Sequence, residues 1–149
     1  MKTPLQFLRL GALCASLMAS CAVNVQAQIA QPVIPSFVNA SVHDPSIIKV
    51  GTEYFVFGSH LAAARSTDLM NWTMVADAVN NANPLFTNVL TALAPTFAWS
   101  QVNDLWAPDV VKLADGKYYF YYDSCCGDSS LSALGVAVVD SIGGLYHNK

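Results

Sequence analysis

Asp44 is the residue of this chain whose chemical type fits its surroundings least. It belongs to the stretch VHDPSIIKVGTEYFVFGSH, residues 42–60, and stands just before a β-branched run over residues 47–50. A turn at residues 51–52 leads into an aromatic run over residues 54–57, and this pattern predicts a β-hairpin. An ionised carboxylate gains nothing from burial beside an apolar strand, and proton transfer is a chemistry that such a group offers. We interpret Asp44 as a functional carboxylate.

A second hairpin pattern repeats the first one. Ile47 matches Val110, 63 positions on, and Tyr54 matches Tyr118 after a turn that is one residue longer. A further apolar segment, SALGVAVV at residues 132–139, is predicted to be a strand that follows the second hairpin. Four-strand units that recur in this way predict an all-β fold built from the blades of a β-propeller. The alternative is two unrelated hairpins that share their turn chemistry.

Asp109 stands near the start of the second hairpin, where it matches Ser46 rather than Asp44. In a propeller the innermost strand of each blade lines a central channel, so that the start of this strand presents side chains to a pocket. Side chains two positions apart lie on the same face of a strand, which allows Asp109 to face the channel as well. The other interpretation, which stays open, is a residue at the strand start that bonds to nearby backbone.

Composition and the remaining patterns set limits on the rest of the chain. The 149 residues suit about one domain, and a formal charge of −3 with only seven lysines and arginines provides no basic surface for nucleic acid. Residues 61–66 favour a strand over a helix, and residues 73–75 predict a short strand. Residues 76–103 are dominated by Ala, Asn, Thr and Pro and predict a long connecting loop.

Residues 1–27 have the features of a secretory signal peptide. Lys2 and Arg9 precede a short apolar run, and small residues lead to a cleavage site after Ala27. The rival interpretation is a lipoprotein signal in which Cys21 carries the lipid. Both interpretations predict export. A cleaved signal peptide predicts a protein in the periplasm or the medium, and a lipoprotein signal predicts a lipid anchor at Cys21. Neither leaves a transmembrane segment once the signal is removed. Residues 28–41 are interpreted as an exposed lead-in.

Cys125 and Cys126 are the cysteines that lie outside the signal. Adjacent Cα atoms are about 3.8 Å apart, which is shorter than the usual separation across a disulfide. Two small, partly buried thiols are therefore one interpretation. A strained disulfide between the two neighbours is the other, because exported proteins meet oxidising conditions. No other Cys or His stands at ligand spacing, and no metal site is predicted here.

Four stretches, in matching order, resemble glycoside hydrolase family 43, the group of arabinanases, arabinofuranosidases and β-xylosidases. They are His43-Asp44-Pro45-Ser46-Ile47, Ser66-Thr67-Asp68-Leu69-Met70-Asn71-Trp72, Leu105-Trp106-Ala107-Pro108-Asp109-Val110 and Ala133-Leu134-Gly135-Val136-Ala137. The resemblance covers about residues 42–146 and implies a five-bladed β-propeller, of which this chain holds about the first two blades. It also implies hydrolysis of O-glycosyl bonds in a plant cell-wall polysaccharide, with arabinan preferred over xylan.

The resemblance assigns roles to particular residues. It implies that Asp44 is the general base of an inverting hydrolysis, which also needs a protonated carboxyl group about 6.5–9.5 Å away. In the family this acid is a Glu, and it comes from a later blade, as does an Asp that tunes it. Glu53, the one Glu of this chain, stands in the hairpin turn and is not expected to be the acid. Trp106, Asp109 and His43 are candidate substrate-binding residues, and the alternative for Trp106 is a core position between blades.

The end of the chain departs from the family pattern. The family usually continues with a Gly-Pro-aromatic turn where this chain runs from Ser141 to Lys149. We therefore expect a truncated chain that is unstable and catalytically incompetent alone, because two blades cannot close a propeller. The alternatives are a non-catalytic secreted carbohydrate-binding remnant and a small secreted β-domain without a sugar role. No cofactor is evident, although the complete family fold allows a calcium ion on its axis, held through residues beyond Lys149.

Overall fold

The computed structural model describes residues 41–125 and 130–149. All of them belong to one compact unit, Ile34–Lys149. The predicted signal peptide, most of the lead-in and Cys126 lie outside the described residues, so the predictions made for them stay predictions. No helix in the described part of the chain has the length and apolar character needed to cross a membrane.

Two antiparallel sheets of four strands each form the body of the chain, in the orders β1-β2-β3-β4 and β5-β6-β7-β8. The first sheet consists of β1 Ser46–Val50, β2 Glu53–Gly58, β3 Ala62–Ser66 and β4 Thr73–Ala76. The second consists of β5 Trp106–Lys112, β6 Tyr118–Ser124, β7 Ala133–Val139 and β8 His147–Asn148. The predicted strands and the strand preference for residues 61–66 are confirmed, with a 3₁₀ turn, Ser59–Leu61, before β3.

The repeat that was predicted from the sequence is present in the strand pairing. Ile47 pairs with Val56 in the first sheet, as Val110 pairs with Phe120 in the second. A lysine ammonium lies over a tyrosine ring at the end of each hairpin, at 5.1 Å in the first sheet and 5.3 Å in the second. Equivalent pairs with equivalent side-chain contacts exclude two unrelated hairpins, and they identify both sheets as copies of one unit.

The prediction of a structureless loop over residues 76–103 is wrong in part, because two short helices interrupt it. They are α1 Val89–Ala92 and α2 Ala94–Ser100. Val89, Leu93 and Phe97 are buried and follow one another at intervals of four residues, which is the spacing of one helix face. The Ala-, Asn- and Pro-rich composition concealed this apolar stripe.

The core contains a cluster of aromatic rings that joins the two sheets. Phe57 of the first sheet meets Phe120 of the second at 5.9 Å between ring centroids and Tyr146 at 6.4 Å, both edge to face. Phe86, from the segment before α1, lies 5.9 Å from Tyr146. Such aromatic pairs contribute about 0.5–1.5 kcal/mol each beyond the burial of their area. The two sheets and the helical segment therefore share one core.

Cys125, just after β6, is disulfide-bonded. The interpretation of this residue as a free thiol is therefore wrong. Its sulfur belongs to a cross-link at the end of a central strand of the second sheet.

The motif at residues 66–72 forms the turn between β3 and β4. The carboxylate of Asp68 accepts hydrogen bonds from the backbone N–H groups of Met70 and Asn71 and from the Asn71 side chain, at 2.7–2.9 Å. The Ser66 hydroxyl also donates to Asp68, at 3.0 Å. These donors, those of Asn71 first, lower the pKa of Asp68 well below its ordinary range. The motif therefore determines the local chain path, which explains its place in the family pattern without a role in chemistry.

We predict that Asp68 makes the stability of the chain depend on acid pH. Because the pKa of this group is lower in the folded chain, its contribution is present above the unfolded pKa of 3.8 and is lost as the pH falls toward the folded value. Asp68→Asn should therefore lower the melting temperature near neutral pH and remove part of its fall between about pH 5 and pH 2. Circular dichroism melts across this range, with the exposed Asp77→Asn as control, test it. The same dependence of the melting temperature on pH in the unmutated protein, Asp68→Asn and Asp77→Asn would contradict this prediction.

A second prediction concerns Gly135 of β7, which pairs with Tyr122 of β6. A Cβ atom at this position would meet the Tyr122 ring, which is buried and whose hydroxyl donates to Asn148 of β8 at 2.6 Å. Gly135→Ala should lower the free energy of unfolding by about 1–3 kcal/mol. Gly143→Ala is the control, because a Cβ there has open space. Chemical denaturation measures both variants, and equal stabilities would refute the close contact.

Candidate active site

Asp44 lies two residues before β1, with its side chain 40 % exposed. Its backbone is left-handed, with φ of 48°, a conformation that Asp adopts more readily than most residues. Its Oδ2 accepts a hydrogen bond from the Ser59 hydroxyl at 2.8 Å and lies 3.0 Å from Nδ1 of His43. No residue within 41–125 and 130–149 donates a hydrogen bond to Oδ1. One oxygen is thus held, and the other is available for proton transfer.

Ser59 is a buried residue that the sequence patterns did not single out. Only 1 % of it is exposed, and its N–H donates to the carbonyl oxygen of His43 at 2.9 Å. Its hydroxyl oxygen accepts the N–H of Ala107 in β5 at 3.0 Å. Gly58 allows this approach, because a Cβ there would collide with the carbonyl oxygen of His43. A small polar residue after a glycine, at the end of an apolar strand, was the one available signal.

His60 and Asp104 form a second pair that the sequence patterns did not indicate. Nδ1 of His60 lies 3.0 Å and 2.8 Å from the two carboxylate oxygens of Asp104, and the backbone N–H of His60 donates to the carbonyl oxygen of Leu105 at 2.7 Å. Asp104 is 44 positions further along the chain and directly follows residues 76–103, the segment that was predicted to be a loop. These bonds fasten the end of the first sheet's hairpin to the chain that enters β5.

Trp106, the first residue of β5, lies against two histidine rings. Its ring centroid is 4.7 Å from that of His60 and 6.0 Å from that of His43. The residue is partly exposed, and its Nε1 is buried without a hydrogen-bond partner among the residues that the structure describes. The structure thus brings Trp106 and His43 together beside Asp44. Their roles in substrate binding stay predictions.

Asp109 is exposed and bonds across the two sheets. Its Oδ1 accepts the Ser46 hydroxyl at 2.6 Å, and the same hydroxyl oxygen accepts the N–H of Val110 at 3.4 Å. Ser46 and Asp109 are the equivalent residues of the two repeats, so the matched positions face each other where β1 lies beside β5. The side-chain partner of Asp109 is therefore in the neighbouring sheet, and its role in substrate binding stays a prediction.

Glu53 stands far from this group of residues. It is the first residue of β2 and pairs with Val50, at the end of the hairpin opposite to Asp44. A five-residue strand separates the two acids, which corresponds to about 17 Å at about 3.4 Å per residue. The nearest cation to the Glu53 carboxylate is Arg65, at 3.8 Å. Glu53 is therefore too far from Asp44 to be the acid of a carboxyl pair with it.

Four of the eight described non-glycine residues with positive φ lie at this site. Asp44, His60, Leu61 and Ala107 all have positive φ, between 40° and 63°. Ala107 lies in a bulge of β5, where the pairing with β6 shifts between Trp106 and Asp109. Such conformations cost free energy and persist only where surrounding contacts impose them, which happens often at functional sites.

Metal-ligating side chains are not clustered in the described part of the chain. In residues 41–125 and 130–149, no three His, Cys, Asp or Glu side chains come together in a group that could hold one. The family resemblance places the ligands of an axial calcium ion beyond Lys149, so this expectation stays a prediction.

Comparisons with known proteins give the family of the chain. The family model for glycosyl hydrolases family 43 matches residues 29–149. The extracellular endo-α-(1→5)-L-arabinanase 2 of Bacillus subtilis is 56 % identical over 115 residues, which are 77 % of this chain and 24 % of that protein. The extracellular endo-α-(1→5)-L-arabinanase of Thermotoga petrophila is 48 % identical over 113 residues, 75 % of this chain and 24 % of the relative.

Solved structures agree as well. The family 43 protein YxiA from Bacillus licheniformis superimposes with a TM-score of 0.73 and 57 % identity, over 78 % of this chain and 26 % of that one. The endo-1,5-α-L-arabinanase from Thermotoga petrophila gives 0.73 and 46 % over the same shares. The chain thus spans about a quarter of the length of these relatives, and the predicted five-bladed β-propeller fold, of which it covers a part, is confirmed. The chain belongs to glycosyl hydrolase family 43.

Proposed function

We propose that this chain provides the general base and part of the sugar-binding surface of an exported, inverting endo-1,5-α-L-arabinanase. One observation carries the proposal: Asp44 has one oxygen fixed by a buried hydroxyl, while the other accepts no hydrogen bond from the described residues. A fixed carboxylate with a free lone pair suits the removal of a proton from water. The relatives from Bacillus subtilis and Thermotoga petrophila, both described as extracellular endo-arabinanases, support arabinan as the substrate and export as the location.

The reaction needs two carboxyl groups. Asp44 takes a proton from a water molecule on the face of the sugar opposite to the leaving group, and a protonated carboxyl group about 6.5–9.5 Å away gives its proton to the glycosidic oxygen. Glu53 does not fit the second role, because the length of β1 separates it from Asp44. The family resemblance implies that the acid is a Glu from a later blade, and we therefore expect no hydrolysis by the 149-residue chain alone.

Trp106, His43 and Asp109 are the residues that we propose to contact the sugar. The Trp106 ring offers an apolar face, and its position beside the exposed His43 ring supports a binding surface of aromatic and polar character. Asp109 is exposed next to Ser46 and offers a carboxylate oxygen to sugar hydroxyl groups. Anchoring through a lipid on Cys21 is the alternative to free secretion.

A chimera tests the role of Asp44. Residues 29–149 would replace the matching segment of the Bacillus subtilis relative, which is 56 % identical and contributes the rest of its own chain. We predict that the chimera hydrolyses linear 1,5-α-L-arabinan with inversion, as followed by NMR of the released anomer. Asp44→Asn should lower kcat about 10³-fold, whereas Asp77→Asn should leave it unchanged. Retention of configuration, or an Asp44→Asn variant with full activity, would refute the assignment.

Tryptophan fluorescence tests the sugar surface in the same chimera. We predict that arabino-oligosaccharides quench the emission of a Trp99→Phe variant, because the exposed Trp99 is then removed while Trp106 remains. The quenching should disappear when Trp106→Phe is added. Sugar binding by the unmutated chimera without any cleavage would favour the non-catalytic carbohydrate-binding protein instead. An unchanged response after Trp106→Phe would exclude Trp106 from the binding surface.

A further inference from the structure

We infer that Ser59 is a positioning residue. Its hydroxyl is bonded to β5 of the second sheet and fixes the orientation of the Asp44 carboxylate. This inference rests on the proposed role of Asp44 as a base. The Ser59 hydroxyl is hydrogen-bonded to both Asp44 and β5: it donates to Oδ2 of Asp44 at 2.8 Å and accepts from the Ala107 N–H at 3.0 Å.

The two bonds of this hydroxyl depend on each other. A serine hydroxyl has a single proton and acceptor lone pairs. The Ala107 N–H occupies a lone pair, which leaves the O–H proton for Asp44 and limits its rotation. The N–H of Ser59 also donates to the carbonyl oxygen of His43, the residue before Asp44. Ser59 thus holds the backbone and the side chain of this segment from the same buried position.

The other contact of Asp44 is less suited to this task. His43 is 65 % exposed on its side chain, while Ser59 is 1 % exposed. An exposed side chain retains rotamer freedom that a buried one has lost, so the bond from His43 is the more readily broken. The direction of the Asp44 carboxylate is therefore determined mainly by Ser59.

Strain at both ends of this contact supports the same conclusion. Asp44 and Ala107 both have left-handed backbone, with φ of 48° and 40°. Alanine disfavours this conformation, so the bulge of β5 needs contacts that compensate for it. The bond from the Ala107 N–H to Ser59 is such a contact. If the hydroxyl is removed, we expect both backbone segments to relax, and Oδ1 of Asp44 then loses its fixed direction.

Two measurements on Ser59→Ala test the inference, with Ser124→Ala as the matched control. Ser124 is also fully buried, and its hydroxyl contacts Ser100 at 2.8 Å and the Val102 carbonyl oxygen at 3.3 Å. In the isotopically labelled chimera, NMR follows hydrogen exchange of the Ala107 amide and the side-chain couplings of Asp44. In the chimera described above, kcat and KM for arabinan are measured separately.

We expect Ser59→Ala to accelerate exchange at Ala107 and to average the Asp44 rotamers, while Ser124→Ala changes neither. In the chimera, Ser59→Ala should lower kcat about 10- to 100-fold with little change in KM, which is the effect of a misplaced catalytic group. Unchanged Asp44 couplings, or an unchanged kcat beside altered couplings, would overturn the positioning role. An inactive unmutated chimera would count against the proposed function alone, because the NMR comparison tests the contact without any reaction.

Discussion

The hydrogen bonds that join the start of β1 and the turn after β2 to the chain at the start of β5 are the contacts on which the candidate site depends. Ser59 bonds to Ala107, the His60 N–H bonds to the carbonyl oxygen of Leu105, and Ser46 bonds to Asp109. Each bond crosses from one sheet to the other, and each lies within three residues of a proposed site residue. The candidate site therefore exists only where the two sheets are docked, since neither sheet holds these side chains alone.

The two sheets are copies of one unit, yet they differ at the place where chemistry is proposed. At the turns of the hairpins, away from the candidate site, the two copies agree, because each has a lysine over a tyrosine ring. At the near end, β5 has a bulge at Ala107 and Asp109 occupies the place of Ser46. Copies that differ in this way bring a hydroxyl in one sheet opposite a carboxylate in the other. The repeated unit forms the two sheets, and the local differences between the copies lie at the candidate site.

More of the fold than of the candidate site could be predicted from the sequence. Alternating β-branched and aromatic residues gave the strands, and the 63-residue offset gave the repeat, because both signals are local or periodic. Asp44 was singled out for the same reason, since an acid before an apolar strand is a local anomaly. Ser59 and Asp104 were missed because their partners are 48 and 44 positions away. A single sequence carries no information on which distant polar residues will meet.

The geometry also suits the role proposed for Asp44, which stands at a junction between the two sheets. An inverting hydrolysis requires a fixed separation between two carboxyl groups, with room for one water molecule. A carboxylate on a free strand end would move with that end, and the separation would change with every fluctuation. Here Asp44 is 40 % exposed and accessible to water, while the hydroxyl that holds it is buried. In the proposed mechanism, exposure to water and a buried, fixed hydroxyl are thus divided between two residues, Asp44 and Ser59.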